Sequence, residues 1–149
     1  MPSAVFFGNA GVSLVVCLAA VGACYGNARV GTALMTSDTY GRRVGAKGYV
    51  ALVMSTMISI YSLVIAFFIT NTLGSKSLSL PDGLLLFSSG LSGGLALLAC
   101  GLGIGAIGSK GIELFADSLF IAYMLSLLLC EAIGLLGTIL SILSLPPKT

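Results

Sequence analysis

The sequence predicts an all-α integral membrane protein, four transmembrane helices arranged as two tandem helical hairpins. Three observations carry this. The 149 residues are 57% hydrophobic and 8% charged with neither His nor Trp, and mean hydropathy is +1.11, more apolar surface than a chain of this length can hide from water. Polar stretches at 36–48, 71–83 and 108–118 leave four apolar segments, approximately 5–35, 49–70, 84–108 and 119–145. Each exceeds the roughly 20 residues that a helical crossing needs, and none alternates as a barrel strand does. Finally, the two halves align with each other.

In the first segment, the apolar run from Ala4 to Tyr25 is longer than a signal-peptide core, and no Lys or Arg precedes it, Arg29 following instead. It reads as a retained span. The third segment repeats it: a shift of 79 places Gly11 on Gly90, Ser13 on Ser92, Leu18 on Leu97, Ala20 on Ala99, Gly22 on Gly101 and Gly26 on Gly105. The second and fourth segments align more weakly. A shift of 75 matches Leu52 with Leu127 and Ile58 with Ile133 but sets Thr56 opposite Glu131. The chain thus reads as one membrane domain, 1–149, with hairpin repeats over about 5–72 and 83–146, and only the second repeat carries an acid inside a span.

Gly90, Gly94, Gly101, Gly105 and Gly108 fall on one face of the third helix, and Gly11, Gly22 and Gly26 outline the same stripe in the first. In lipid, faces without side chains let helix backbones approach closely. The stripe suits either a contact within the chain or one between copies, and two striped helices in one chain favour a ring.

Several classes are excluded. The net charge is +2, and the seven cations are scattered, leaving no footprint for nucleic acid. Cys17, Cys24, Cys100 and Cys130 lie in apolar segments without metal-ligand or redox spacing, so they read as packing residues and no metal is expected. "GLGIGAIG" mimics a dinucleotide fingerprint but has no strand before it and no acid suitably after it, so no nucleotide or other cofactor is expected. Arg42, Arg43 and Lys47 in the first connection and Lys110 in the third point these loops to the cytoplasm, with both termini and the middle loop on the opposite side, which is the lumenal side if the membrane encloses a compartment.

Glu131 is the one carboxylate deep in a span, within a residue of the midpoint of the fourth segment. At 1.5 Å per residue either helix end is about 18–20 Å away, too far for its side chain to reach water. No Lys, Arg or His occupies a span apart from Arg29, near a helix end. A carboxyl so placed, without a countercharge, is stable as the neutral acid and becomes a reversible proton carrier, its counter-ion supplied by another subunit. The alternative is a neutral Glu131 acting as hydrogen-bonded glue between helices.

At these residues the chain resembles a known family. "GACYGNARVG", "SIYSLVIAF", "SGLSGGLALLACGLGIGAIG" and "SLFIAYMLSLLLCEAIGLLG", one from each span, are similar to the proteolipid c subunits of vacuolar-type proton-pumping ATPases, and the likeness runs from Phe6 to Leu145. The resemblance implies a homo-oligomeric or mixed proteolipid rotor ring in lipid, odd helices inside and even helices outside, in a vacuolar or other acidified endomembrane. It further implies a proton that binds Glu131 from a stator half-channel, travels with the turning ring and leaves beside a stator arginine, while central-stalk subunits grip the cytoplasmic loops. ATP chemistry lies elsewhere in such a complex.

Departures from the family pattern are local. The loop before the fourth span lacks the usual arginine and proline, and Leu136 stands where tyrosine is frequent. Tyr61 matches a residue that hydrogen-bonds the acid in related rings, although packing is its commoner role in a membrane. Sodium-carrying relatives place Thr-Gln where this chain has Met57 and Ile58, and the chain contains no Gln. A proton needs one carboxyl whereas sodium needs several oxygens at once, so the proton is favoured, with Ser55, Thr56, Ser59 and Ser62 keeping a sodium-carrying rotor open. Rival readings are a structural or pore-forming oligomer and a small secondary transporter, the latter disfavoured because polar groups do not converge around Glu131.

Overall fold

The computed structural model describes residues 2–41, 46–74, 79–114 and 119–146, all but a few of them helical. Four helices follow in order: α1 (Pro2–Thr39), α2 (Val50–Leu73) after a single 3₁₀ turn at Ala46–Tyr49, α3 (Leu80–Glu113) and α4 (Phe120–Leu143). All four are long and apolar enough to cross a membrane. At 1.5 Å per residue α2 and α4 are about 36 Å long, a close match to a hydrocarbon core of about 30 Å plus its interfaces. The 38 residues of α1 and the 34 of α3 overshoot it.

The expected spans are all present, and the odd helices continue into what reads as polar breaks. Thr36–Thr39 prolong α1, and Gly108–Glu113 prolong α3, where Lys110 Nζ lies 2.7 Å from Glu113 Oε2 one turn on. A break in hydropathy therefore marks the water boundary and not the helix end, since polar residues continue a helix as readily as apolar ones. The start of α3 is fixed locally. Pro81 occupies its first turn, and the Asp82 carboxylate accepts hydrogen bonds from the Ser79 backbone N–H, at 3.0 Å, and from the Ser79 hydroxyl.

The most extensive contact joins α1 and α3, which run parallel. Gly83 abuts Ala4, Gly90 abuts Gly11, Gly94 abuts Val15, Gly101 abuts Gly22 and Gly105 abuts Gly26. Every one of these pairs is separated by 79 residues, the offset at which the two halves of the sequence align. The glycine stripe is thus used inside the chain. Of the two uses the sequence allows, the contact within the chain is the one these residues make, because both stripes face each other and bring backbone onto backbone.

The shorter helices fold back against this pair. α2 runs antiparallel to α1, with Leu73 over Gly8 and Ser55 beside Gly26, and α4 runs antiparallel to α3, with Tyr123 over Gly111 and Ser141 beside Gly93. Two buried hydroxyl contacts tie them down. Ser55 donates to the Ala23 carbonyl at 3.1 Å, while Ser89 and Ser141 each donate to the other's carbonyl, at 2.7 and 2.9 Å. A large exposed apolar surface remains on α2 and α4, including Leu63, Phe67, Ile121, Leu129 and Leu140, as lipid contact requires.

A methyl group at Gly101 would fall onto the Gly22 backbone, which cannot rotate away, whereas one at Gly31 meets nothing within 4 Å. Gly101→Ala is expected to destabilise the chain by about 1–3 kcal/mol, and Gly31→Ala to be neutral or stabilising by up to about 1 kcal/mol. Reversible unfolding of the purified variants in mixed micelles measures both.

Candidate functional site

α4 is an apolar helix with one narrow buried face, formed by Tyr123, Leu127, Gly134, Thr138 and Ser141. Glu131 lies on the border of that face, half-buried, between buried Leu127 and Gly134 on one side and exposed Leu128 and Leu135 on the other. Eleven residues separate it from the first residue of α4 and twelve from the last, so the carboxyl sits at mid-helix, about 17–18 Å from either end.

α2 supplies its partner. The buried face of α2 includes Ser55, Ile58, Ser62, Ile65 and Ile69, and Tyr61 stands at its edge, half-buried against the core with its hydroxyl directed at α4. The Tyr61 Oη donates to Glu131 Oε1 at 2.8 Å, joining residues 70 positions apart. The structure thus brings together the two side chains that the sequence singles out. A phenol holds an ionised carboxyl by donating to it and leaves the other carboxyl oxygen free to take a proton, so both charge states of Glu131 fit the same geometry.

Three of the hydroxyls near this level of α2 donate to backbone carbonyls. Thr56 Oγ1 donates to the Val53 carbonyl at 2.6 Å and Ser62 Oγ to the Ser59 carbonyl at 2.7 Å, while Ser55 reaches across to α1. Met57 is exposed and Ile58 fully buried. Leu136 is 66% exposed and points away from the core. Arg29 is engaged on its own helix: its Nε donates to Tyr25 Oη at 3.2 Å, and its guanidinium lies 5.8 Å from the Tyr25 ring centre. Arg42, Arg43, Lys76 and Asp117, with the side chain of Lys47, fall outside the described residues, so of the loop cations that bear on orientation the geometry describes Lys110.

What sequence reading missed is the seam that seats α4. Cys130 lies over Gly103, its Sγ 3.1 Å from where a Cβ there would be, and Cys100 of α3 lies over Gly134, its Sγ 2.9 Å from the corresponding point. The reciprocal Ser89–Ser141 pair closes the same seam nearer the end of α4. The available signal was small residues at three- and four-residue spacing on both helices, which the glycine stripe facing α1 overshadowed.

Known proteins share this architecture at the level of sequence. The sequence model of the ATP synthase C-subunit family matches residues 10–69 and 87–144. Among similar proteins, the 16 kDa proteolipid c subunit of the V-type proton ATPase of Rattus norvegicus is 35% identical over 140 residues, which cover 93% of this chain and 90% of that protein. The Homo sapiens protein of the same name is equally similar, 35% over 140 residues with the same coverage. The c' subunit of the V-type proton ATPase of Neurospora crassa is 34% identical over 144 residues, 93% of this chain and 86% of that one. The chain is therefore an integral membrane protein of the ATP synthase C-subunit family and belongs with the V-type proton ATPase proteolipid c subunits.

Proposed function

We propose that this chain is a rotor-ring subunit of a V-type ATPase that carries protons across the membrane on Glu131. The observation that carries the reading is the lone mid-helix carboxyl of α4, hydrogen-bonded by Tyr61 at 2.8 Å, in a chain similar over most of its length to proton ATPase proteolipids. Each protonated, neutral Glu131 rides through lipid as the ring turns, because a charge there would cost several kcal/mol. Opposite a stator arginine the ionised form is stabilised and the proton leaves. Tyr61 keeps the carboxyl oriented in both states.

The proton is favoured over sodium because the Tyr61 phenol is the one side-chain oxygen bonded to Glu131 among the described residues, whereas Ser55 is directed at α1 and Thr56 lies on the exposed side of α2. The shared offset of 79 between sequence alignment and helix contact supports an origin as two tandem hairpins. Partners follow from the family: further copies or sister proteolipids in the ring, a stator protein bearing the arginine, and central-stalk subunits at the α1–α2 and α3–α4 loops on the cytoplasmic side. The compartment is a vacuole or another acidified endomembrane, with the termini lumenal.

Glu131→Gln keeps size and hydrogen-bonding but cannot titrate. Rings containing it should assemble at normal levels while ATP-driven acidification of reconstituted vesicles falls to background; sustained acidification would show that Glu131 is structural. Tyr61→Phe removes one hydrogen bond of about 0.5–1.5 kcal/mol, so acidification should slow about two- to tenfold without loss of assembly, in sodium-free as in sodium-containing buffer.

A further inference from the structure

Two contacts between α3 and α4 flank Glu131. Cys130 immediately precedes the acid and lies against Gly103, while Gly134, three residues after it, receives Cys100. Each helix thus offers the other one thiol knob and one glycine hole, and the two fits straddle the carboxyl. We propose that the Cys100–Gly134 contact sets the rotation of α4 that presents Glu131 to Tyr61, making Cys100 a positioning residue for the proton carrier.

Geometry supports this in three ways. The contact is close: a Cβ at Gly134 would stand 2.9 Å from Cys100 Sγ and 3.2 Å from its Cβ, so even a methyl group here would press on the thiol. Apart from the reciprocal Cys130–Gly103 fit, the other attachments of α4 to α3 lie farther along the axis: Gly137 on Ala96 is six residues from Glu131, about 9 Å, and Tyr123 and Ser141 are eight and ten residues away, about 12 and 15 Å. On its outer side α4 presents Leu128, Leu129, Ile133 and Leu136, each more than half exposed, so within the chain nothing there opposes a turn of the helix. A side chain about 5–6 Å from the helix axis moves about 2 Å for a 20° rotation. That displacement is enough to break the 2.8 Å bond from Tyr61.

The inference rests on the reading of Glu131 as the carrier, and its readouts keep the two apart. The assembled ATPase is examined for ring content, ATP-driven acidification and the pH profile of Glu131 modification by a hydrophobic carbodiimide, which reports the state of that carboxyl directly. Cys100→Ala, which removes the knob without adding volume, should move the labelling profile in the same sense as Tyr61→Phe and slow acidification about two- to fivefold. In a Tyr61→Phe background it should add nothing further, because both changes act through one hydrogen bond. Gly134→Ala, which forces a methyl onto the thiol, should impair acidification at least as much, and Cys100→Gly in the same chain should restore it.

A wild-type labelling profile in Cys100→Ala would overturn the proposal, as would a shift that adds in full to that of Tyr61→Phe. Failure of Gly134→Ala to assemble even with Cys100→Gly would likewise do so, since the glycine would then answer to something other than the thiol. Acidification that survives Glu131→Gln would remove the carrier reading while the labelling comparison still tests the positioning.

Discussion

Everything in this chain is built on two helix backbones touching. Between membrane helices there is no gain from removing apolar surface from water, because lipid is as apolar as the side chains it would replace, so adhesion depends on short-range packing. A gap of about 0.5–1 Å forfeits roughly a quarter to a half of such an attraction. Gly11, Gly22 and Gly26 on α1 meet Gly90, Gly101 and Gly105 on α3, and main-chain atoms become the packing surface along much of both helices. A single methyl at any of these contacts separates two long rods, not two side chains. This explains why so much of the glycine is concentrated on the odd helices, at the expense of intrinsic helix propensity.

The even helices are attached by a different device. Ser55 bonds the Ala23 carbonyl, and Ser89 and Ser141 exchange hydroxyl-to-carbonyl bonds, all buried. A serine that crosses to a neighbouring helix fixes depth and azimuth together, which van der Waals contact alone does poorly. The division of labour has a geometric result. α1 and α3 form a rigid platform, whereas α2 and α4 are seated on it with their outer surfaces free, and the Tyr61–Glu131 bond is made where those two outer helices meet.

The spans were legible because hydrocarbon admits so few solutions: a backbone in lipid must bond within itself, so runs of apolar residues of sufficient length become helices. Glu131 was legible for the same reason, as the residue that breaks the rule. The alignment of Gly11 with Gly90 and of Gly22 with Gly101 shows in the sequence as a repeat, and in the folded chain those equivalent residues touch. Less accessible was which way the stripe faced, since one spacing serves a neighbour in the same chain and a neighbour in another copy equally well. The pairing of Tyr61 with Glu131 needed the relative rotation of α2 and α4, and that is set by contacts such as Cys100 on Gly134 that hydropathy does not encode.

A carrier must hold its proton firmly enough to cross lipid and loosely enough to release it, and the choice of partner decides this. An arginine on the same chain would hold Glu131 permanently ionised, since it would travel with it; the strength of that pair would be present at every angle of rotation. A phenol donates without carrying charge. It narrows the orientations of the carboxyl, and the bias that one neutral hydrogen bond gives to either charge state is small beside that of a charge lying opposite. Under the proposed function, the choice between ionised and neutral forms then varies with position around the ring and not with the state of the protomer itself, which is the condition for rotation to move protons in one direction. The half-buried setting of Glu131, on the border between the packed face of α4 and its exposed leucines, suits the same condition: Tyr61 holds one carboxyl oxygen, and the residue is not enclosed by the rest of the chain.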